Sequence, residues 1–152
     1  MKNLLALAII IVSFSCRLDN DNEKQKEEVK TTLTKMWAAI ENEDIEAYKQ
    51  YVHPNFTQFG EYDSTLRVRK EAEIEGIQSW MDESDNIHTE MIDPKVTING
   101  STALLTYYWS DNVMTDTIPF ATKGKSTRIF VKENEKWLCI HGHYTLLPPF
   151  AN

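Results

Sequence analysis

Arg128 sits in the run Thr127-Arg128-Ile129-Phe130-Val131, whose apolar residues mark a strand bound for a core. A guanidinium buried in such a run is costly without a partner. Either an internal Asp or Glu pairs with it, or its rigid fork anchors an anionic group of a ligand. His141 and His143 alternate along Trp137–Leu146 and so share one strand face. A metal would need a third ligand, and no neighbouring Cys, His or carboxylate motif supplies one, so no metal site is expected. His141 is the best candidate for a general base, because histidine titrates near neutrality. Asp111 and Asp63 are candidates for the mouth of a cavity. One residue is not a mechanism, and whether any reaction is catalysed stays open. Trp37, Tyr48, Trp80, Tyr107 and Trp109 are more large rings than a small core must bury, which suits a partly aromatic pocket. No cofactor is expected.

These residues must be positioned by one domain, since the chain has 152 residues. Its 41% apolar and 26% charged content is that of a folded globular chain. A net charge of −7 with no Lys/Arg stripe excludes a nucleic-acid partner. Val29, Leu33, Met36, Trp37 and Ile40 recur at helical spacing and predict a helix from about Glu27 to Glu41. Asp44 caps a second helix carrying Ile45, Tyr48 and Val52, which His53-Pro54 stops. Phe56–Phe59 reads as a short strand. A third helix over about Arg67–Asp82 carries Ile74, Ile77 and Met81 on one side, with Trp80 adjacent. From Asn86 the pattern turns to strands: Ile87–Ile92, Lys95–Ile98, Ser101–Trp109, Ser126–Lys132 and Trp137–Leu146. Helices first and strands second predict an α+β domain with helices on one face of an antiparallel sheet.

Two hairpins set the faces. A turn at Asn99-Gly100 pairs Ile98 with Ser101 and Val96 with Ala103. Leu105, Tyr107 and Trp109 then share the inner face of Val96 and Ile98, while Leu104 and Tyr108 point outward and suggest a partner surface. A turn at Asn134-Glu135 pairs Lys132 with Trp137, Phe130 with Cys139 and Arg128 with His141. Simple alternation thus puts His141 on the face of Arg128 and Tyr144 on the opposite one.

The N-terminus reads differently. Met1-Lys2-Asn3 is a short basic start, and Leu4–Val12 is an apolar run too short for a resident membrane helix. Residues 1–15 fit a secretory signal peptide. Ser13-Phe14-Ser15-Cys16 resembles the lipobox of bacterial lipoproteins, which implies lipidation of Cys16 and attachment to a bacterial membrane. Residues 16–26 read as a charged tether, leaving 27–152 as the domain. Cys139 is then the only unmodified cysteine, in an apolar strand.

The helix with Trp37, Glu43-Asp44-Ile45-Glu46-Ala47-Tyr48, His53-Pro54-Asn55-Phe56, Ser126-Thr127-Arg128-Ile129-Phe130 and Lys136-Trp137-Leu138-Cys139-Ile140-His141-Gly142-His143 together resemble the nuclear-transport-factor-2-like superfamily, in its SnoaL-like branch. The likeness is strongest to the association (hub) domain of calcium/calmodulin-dependent protein kinase II and covers about residues 27–147. It implies a cone: a curved antiparallel sheet wrapped around N-terminal helices, with a pocket at the open end. It implies homodimers or larger homo-oligomers through the outer sheet face. It also implies small-carboxylate binding, with Arg128 as one pocket arginine and Trp80 as the pocket tryptophan. The other two arginine positions fall on Trp109 and Tyr144, and the pocket histidine falls near Ala72, so a cage of three arginines becomes one. The resemblance places Tyr144 in the pocket, against simple alternation; a bulge near Gly142 reconciles the two. The expected ligand set is therefore Arg128, Trp80, Trp109, Tyr144, His141 and Tyr107. The expected function is binding of a small, partly apolar and acidic ligand by a lipid-anchored domain. The alternatives are an enzyme of the isomerase kind with His141 as base, and an oligomerisation module.

Overall fold

The computed structural model describes residues 2–61, 63–115 and 118–148, with side chains over 21–61, 63–114 and 121–148. The side chains of residues 1–20, which hold the expected signal peptide and the expected lipidation site Cys16, lie outside the described residues. Among the described residues no helix is long and apolar enough to cross a membrane.

Helix α1 (Lys2–Glu41) buries the stripe Val29, Leu33, Met36, Trp37 and Ile40 against the inner face of the sheet, as the helical spacing predicts. It begins well before the Glu27 start that the stripe predicts. Residues 21–26 are helical too, and Glu23 pairs with Lys26 one turn on. Helix α2 (Ile45–Lys49) opens with the Asp44 side chain accepting from the Ala47 backbone N–H. Val52 is not in this helix. Strand β1 (Val52–Phe59) takes it, because the Tyr51 carbonyl accepts from the Cys139 N–H and the sheet ladder claims the backbone there.

Arg67 and Val68 form a short strand β2 (Arg67–Val68) beside β1 instead of opening the third helix. Arg69, at φ 78°, turns the chain into α3 (Lys70–Asp82). Four long strands complete the sheet: β3 (Asp85–Asn99), β4 (Thr102–Thr115), β5 (Ile118–Glu133) and β6 (Lys136–Leu146). The order is β2-β1-β6-β5-β4-β3, open at both edges. The α+β class holds, with helices packed inside the sheet. All neighbours are antiparallel except β1 and β6, which run parallel, so the sheet is mixed.

Bulges give the sheet its bends. The two strand candidates Ile87–Ile92 and Lys95–Ile98 are one strand, with an extra residue at Asp93-Pro94 where Asp93 takes φ 50°. The β3–β4 turn is centred on Gly100-Ser101, one residue later than expected: Asn99 faces Thr102 and Val96 faces Leu105. Gly100 alone takes a positive φ (60°), the pattern of a II′ turn, not the I′ turn that Asn-Gly suggests. Moving the turn centre by one residue shifts pairing by two, so every side chain keeps its expected face. Ala103, Leu105, Tyr107 and Trp109 are buried inward, and Leu104 and Tyr108 are exposed.

The β5–β6 hairpin has the expected Asn134-Glu135 turn, with Phe130 opposite Cys139. Beyond that pair the register slips: Ile129 faces His141, Arg128 faces Gly142 and Ser126 faces Tyr144. The extra residue is Ile140, two places before the Gly142 bulge that would reconcile the two readings. Tyr144 thereby joins the face of Arg128, and His141 and His143 are carried to the other.

Candidate functional site

A cavity of about 480 Å³ opens between α1, α3 and the inner sheet face. Arg128 lies at its inner end, 3% exposed. Its Nε donates to the Tyr107 hydroxyl at 3.4 Å and one terminal nitrogen reaches Cys139 Sγ at 3.6 Å. The guanidinium carbon lies 4.7 Å from the centre of the Tyr144 ring, a cation–π stack. Among the described residues no carboxylate forms an ion pair with it. Burial works against its charge, while Tyr107, Cys139, Tyr48 and Glu73 around it act the other way, and the balance lies well above the ordinary arginine value.

The nearest buried carboxylate is already engaged. Glu73 of α3 is fully buried and accepts from the Tyr48 hydroxyl at 2.7 Å and from Arg67 at 3.2 Å. Arg67 reaches Asp63 with its other nitrogen at 3.4 Å, and Asp63 accepts from the Gly60 N–H. Gly76 lets this happen: a Cβ there would stand 2.7 Å from the Arg67 guanidinium. Burial, with the charge of Glu73 beside it, pushes the Tyr48 phenol well up, so it stays a neutral donor. Burial likewise raises Tyr107 and the Cys139 thiol.

The wall also holds polar atoms with no hydrogen-bond partner among the described residues: Gln58 Oε1, in the row of Arg128 across Gly142, and, further along the sheet, Trp109 Nε1 and Asp111 Oδ1. All three residues line the cavity. Burial pushes the Asp111 carboxyl up to about 6; Thr89 opposite it pulls the value back and the charge of Glu61 adds to it. The Trp109 ring lies flat across Gly124, its direct partner on β5.

Of the expected ligand set, Arg128, Trp80, Trp109, Tyr144 and Tyr107 all line this cavity. Trp37 and Tyr48 join them, each also part of the core. Asp111 and Asp63 stand in the wall as well. His141 does not. The Ile140 bulge turns it to the other face, where its Nδ1 shares a 2.8 Å hydrogen bond with the Thr57 hydroxyl and its ring meets Phe59 edge-on. Burial, then the neighbouring His143 and Arg128 charges, lower its pKa. A general base or ligand donor at His141 is thus misplaced for this cavity. Among the described residues no group of three or more His, Cys, Asp or Glu is arranged to hold a metal.

The family model of the SnoaL-like domain matches residues 29–148. The chain belongs to this family. Its SnoaL-like domain is similar to a nuclear-transport-factor-2-like superfamily protein from Salmonella enterica, with a TM-score of 0.74 at 16% identity over 86% of this chain and 95% of that one. It is similar to the association domain of calcium/calmodulin-dependent protein kinase II from C. elegans, with a TM-score of 0.70 at 21% identity over 83% and 98% of the two chains. A provisionally named dehydratase of the nuclear-transport-factor-2-like family from Streptomyces avermitilis gives 0.74 at 15% over 84% and 99%. At these identities the likeness is one of fold.

Sequence reasoning missed Glu73 and Gln58 in the SnoaL-like pocket. Gln58 follows an inward/outward alternation along β1 that its neighbour Phe56 announces. Glu73 has no such signal: it lies among polar residues of α3, and only its partners Tyr48 and Arg67 explain a buried carboxylate.

Proposed function

We propose that the domain binds a small, partly apolar ligand with one acidic group in this cavity, held near a bacterial membrane by lipid on Cys16. The observation that carries the reading is Arg128: a buried cation, open to the cavity, with no carboxylate paired to it among the described residues. A buried charge lacking an ionic partner costs stability and is retained where it has a use. Aromatic walls at Trp37, Trp80 and Trp109 suit the apolar part of such a ligand.

The test is calorimetric titration with short- and medium-chain carboxylates against the wild type and Arg128→Met. Acids should bind the wild type and lose tenfold or more in the variant. Arg128→Met should fold and melt at or above the wild-type temperature, since an unbranched apolar residue replaces an unpaired charge. A variant that melts lower and binds acids as before would make the arginine structural and end this reading. The anchor is tested separately: Cys16→Ala should leave the membrane fraction, and retention there would end the lipoprotein reading.

A second reading, catalysis of an isomerase or dehydratase kind, is favoured by Asp111. Its carboxyl, near 6, faces the cavity and suits proton transfer close to neutral pH. It takes the place that His141 cannot fill. Self-association through the outer sheet face is a further part of the proposal, supported by the likeness to kinase association domains.

A further inference from the structure

An acid at Arg128 uses only the inner end of the cavity, and the charges at the other end are of opposite sign. Arg128 is 3% exposed, and one of its terminal nitrogens has no hydrogen bond among the described residues. Sheet register fixes the direction in which the charge changes. Gln58, Gly142, Arg128 and Leu105 form one row across β1, β6, β5 and β4. From that row β1, β6 and β4 run the same way. Along them, Glu61 comes just past the end of β1, and Asp111 lies further up β4. Glu83 arrives at the same end, since Asp85, two residues later, faces Met114 of β4. All three line the cavity, and Glu61 and Glu83 are exposed. The inner end is therefore cationic and the mouth anionic.

No cation of the wall cancels the charge of the mouth. Among the described residues lining the cavity, only Arg67 and Arg128 are basic. Arg67 is spent on Glu73 and Asp63, and neither Glu61 nor Glu83 is in an ion pair among the described residues. Glu83 accepts from the Ser79 hydroxyl, a neutral partner. The charge of Glu61 is felt at Asp111, where it adds to the upward push of burial. A plain acid must cross this mouth against like charge, into a chain whose net charge is already −7. Once bound, it gains Arg128 and leaves the carboxylates of the mouth unanswered. A ligand with a cation at its outer end meets attraction at both ends. Between them the wall offers Trp80, Ile77, Val113 and Leu146, so the span joining the two charges is apolar.

We infer that the ligand is a zwitterion, with its carboxylate on Arg128 and, across an apolar span, an ammonium at the mouth beside Glu61 and Glu83. This rests on the acid-binding reading above and names what the other end of the ligand must be. Because Glu61 and Glu83 are exposed, the ammonium keeps part of its hydration there and needs no contact with the buried atoms of Trp109 and Asp111.

The test is calorimetric titration of the purified full chain at low salt with unbranched acids of four to eight carbons, their ω-amino counterparts and the matching amines. At the length that fits best, the amino acid should bind about tenfold tighter than the plain acid. Glu61→Gln with Glu83→Gln should erase that preference from both sides: the amino acid weakens and the plain acid tightens, a crossover that lost folding cannot produce. If the double variant folds poorly, either single substitution should show the same crossover in smaller measure. Raising the salt should shrink the preference of the wild type, because the mouth charges are exposed. Amino acids that bind no tighter than their plain acids at any length overturn the inference and leave the acid reading standing. So does a preference that survives the double substitution. Amines that bind as tightly as the amino acids, with no plain acid bound, overturn the acid reading and the zwitterion with it. Binding of none of the probes overturns both.

Discussion

Asp111 is a carboxyl that the fold would rather keep protonated. Its folded value of about 6 lies above its ordinary 3.8, so between these values the folded state holds more protons than the unfolded chain. Stability from this group is therefore full below pH ~4 and falls as pH rises through 4 to 6, by on the order of 2–3 kcal/mol in all. Asp111→Asn, which has no charge to desolvate, should raise the unfolding free energy from denaturant titration at pH 7.5 by up to that amount and leave it nearly unchanged at pH 4. Equal gains at both pH values, or a loss at pH 7.5, would show that the carboxylate is well solvated. Arg128 belongs to the same logic. Both groups are charges held where the fold gains little from them, and both face the cavity. Sequence alone marks Arg128 by the apolar run around it. It names Asp111 as a candidate for the cavity mouth but cannot show its desolvation, because nothing local distinguishes a desolvated aspartate from a solvated one.

At the scale of elements, the site depends on close approaches that only small residues allow. Gly124 carries the flat Trp109 ring; an added Cβ would sit 2.2 Å from the ring and 2.7 Å from the Thr145 carbonyl. Gly124→Ala should therefore lower stability by ~1–3 kcal/mol, as overpacking does. It should also displace Trp109, read as a change in tryptophan emission and weaker ligand binding. An unchanged melting temperature and spectrum would sink this account. Gly100 offers the contrast, since its Cβ would meet nothing and only its positive φ restricts it. The elements themselves were largely legible: the α1 stripe, the Asp44 cap and the faces of the β3–β4 hairpin follow from period and turn chemistry. What was not legible was the count of residues opposite one another. The Ile140 bulge has no marker in its own residues, yet it alone decides that Tyr144 and not His141 stacks with Arg128.

For the whole molecule, the outer sheet face is the surface left to explain. Ile92 and Tyr108 are direct partners across β3 and β4, 43% and 47% exposed, with Leu104 four residues away on the same face of β4. Lys125 lies beside Tyr108 on β5. If this face joins two copies, Tyr108→Glu should convert the assembly to monomers in sedimentation while leaving the fold and melting temperature intact. A variant that sediments like the wild type would remove the face from the interface.

By itself the sequence determined the class of the fold, the helix that fills the sheet, the inward and outward residues of β3 and β4, and a cationic residue in an apolar strand. Those properties rest on period and local turn geometry, which act over a few residues. The tertiary structure alone decided the parallel β1–β6 pair, the engagement of Glu73 by Tyr48 and Arg67, the removal of His141 from the cavity and the orphan atoms of Trp109 and Asp111. Each of these depends on which distant residue occupies the neighbouring space. Burial, pairing and desolvation are properties of that space, and no stretch of chain carries them on its own.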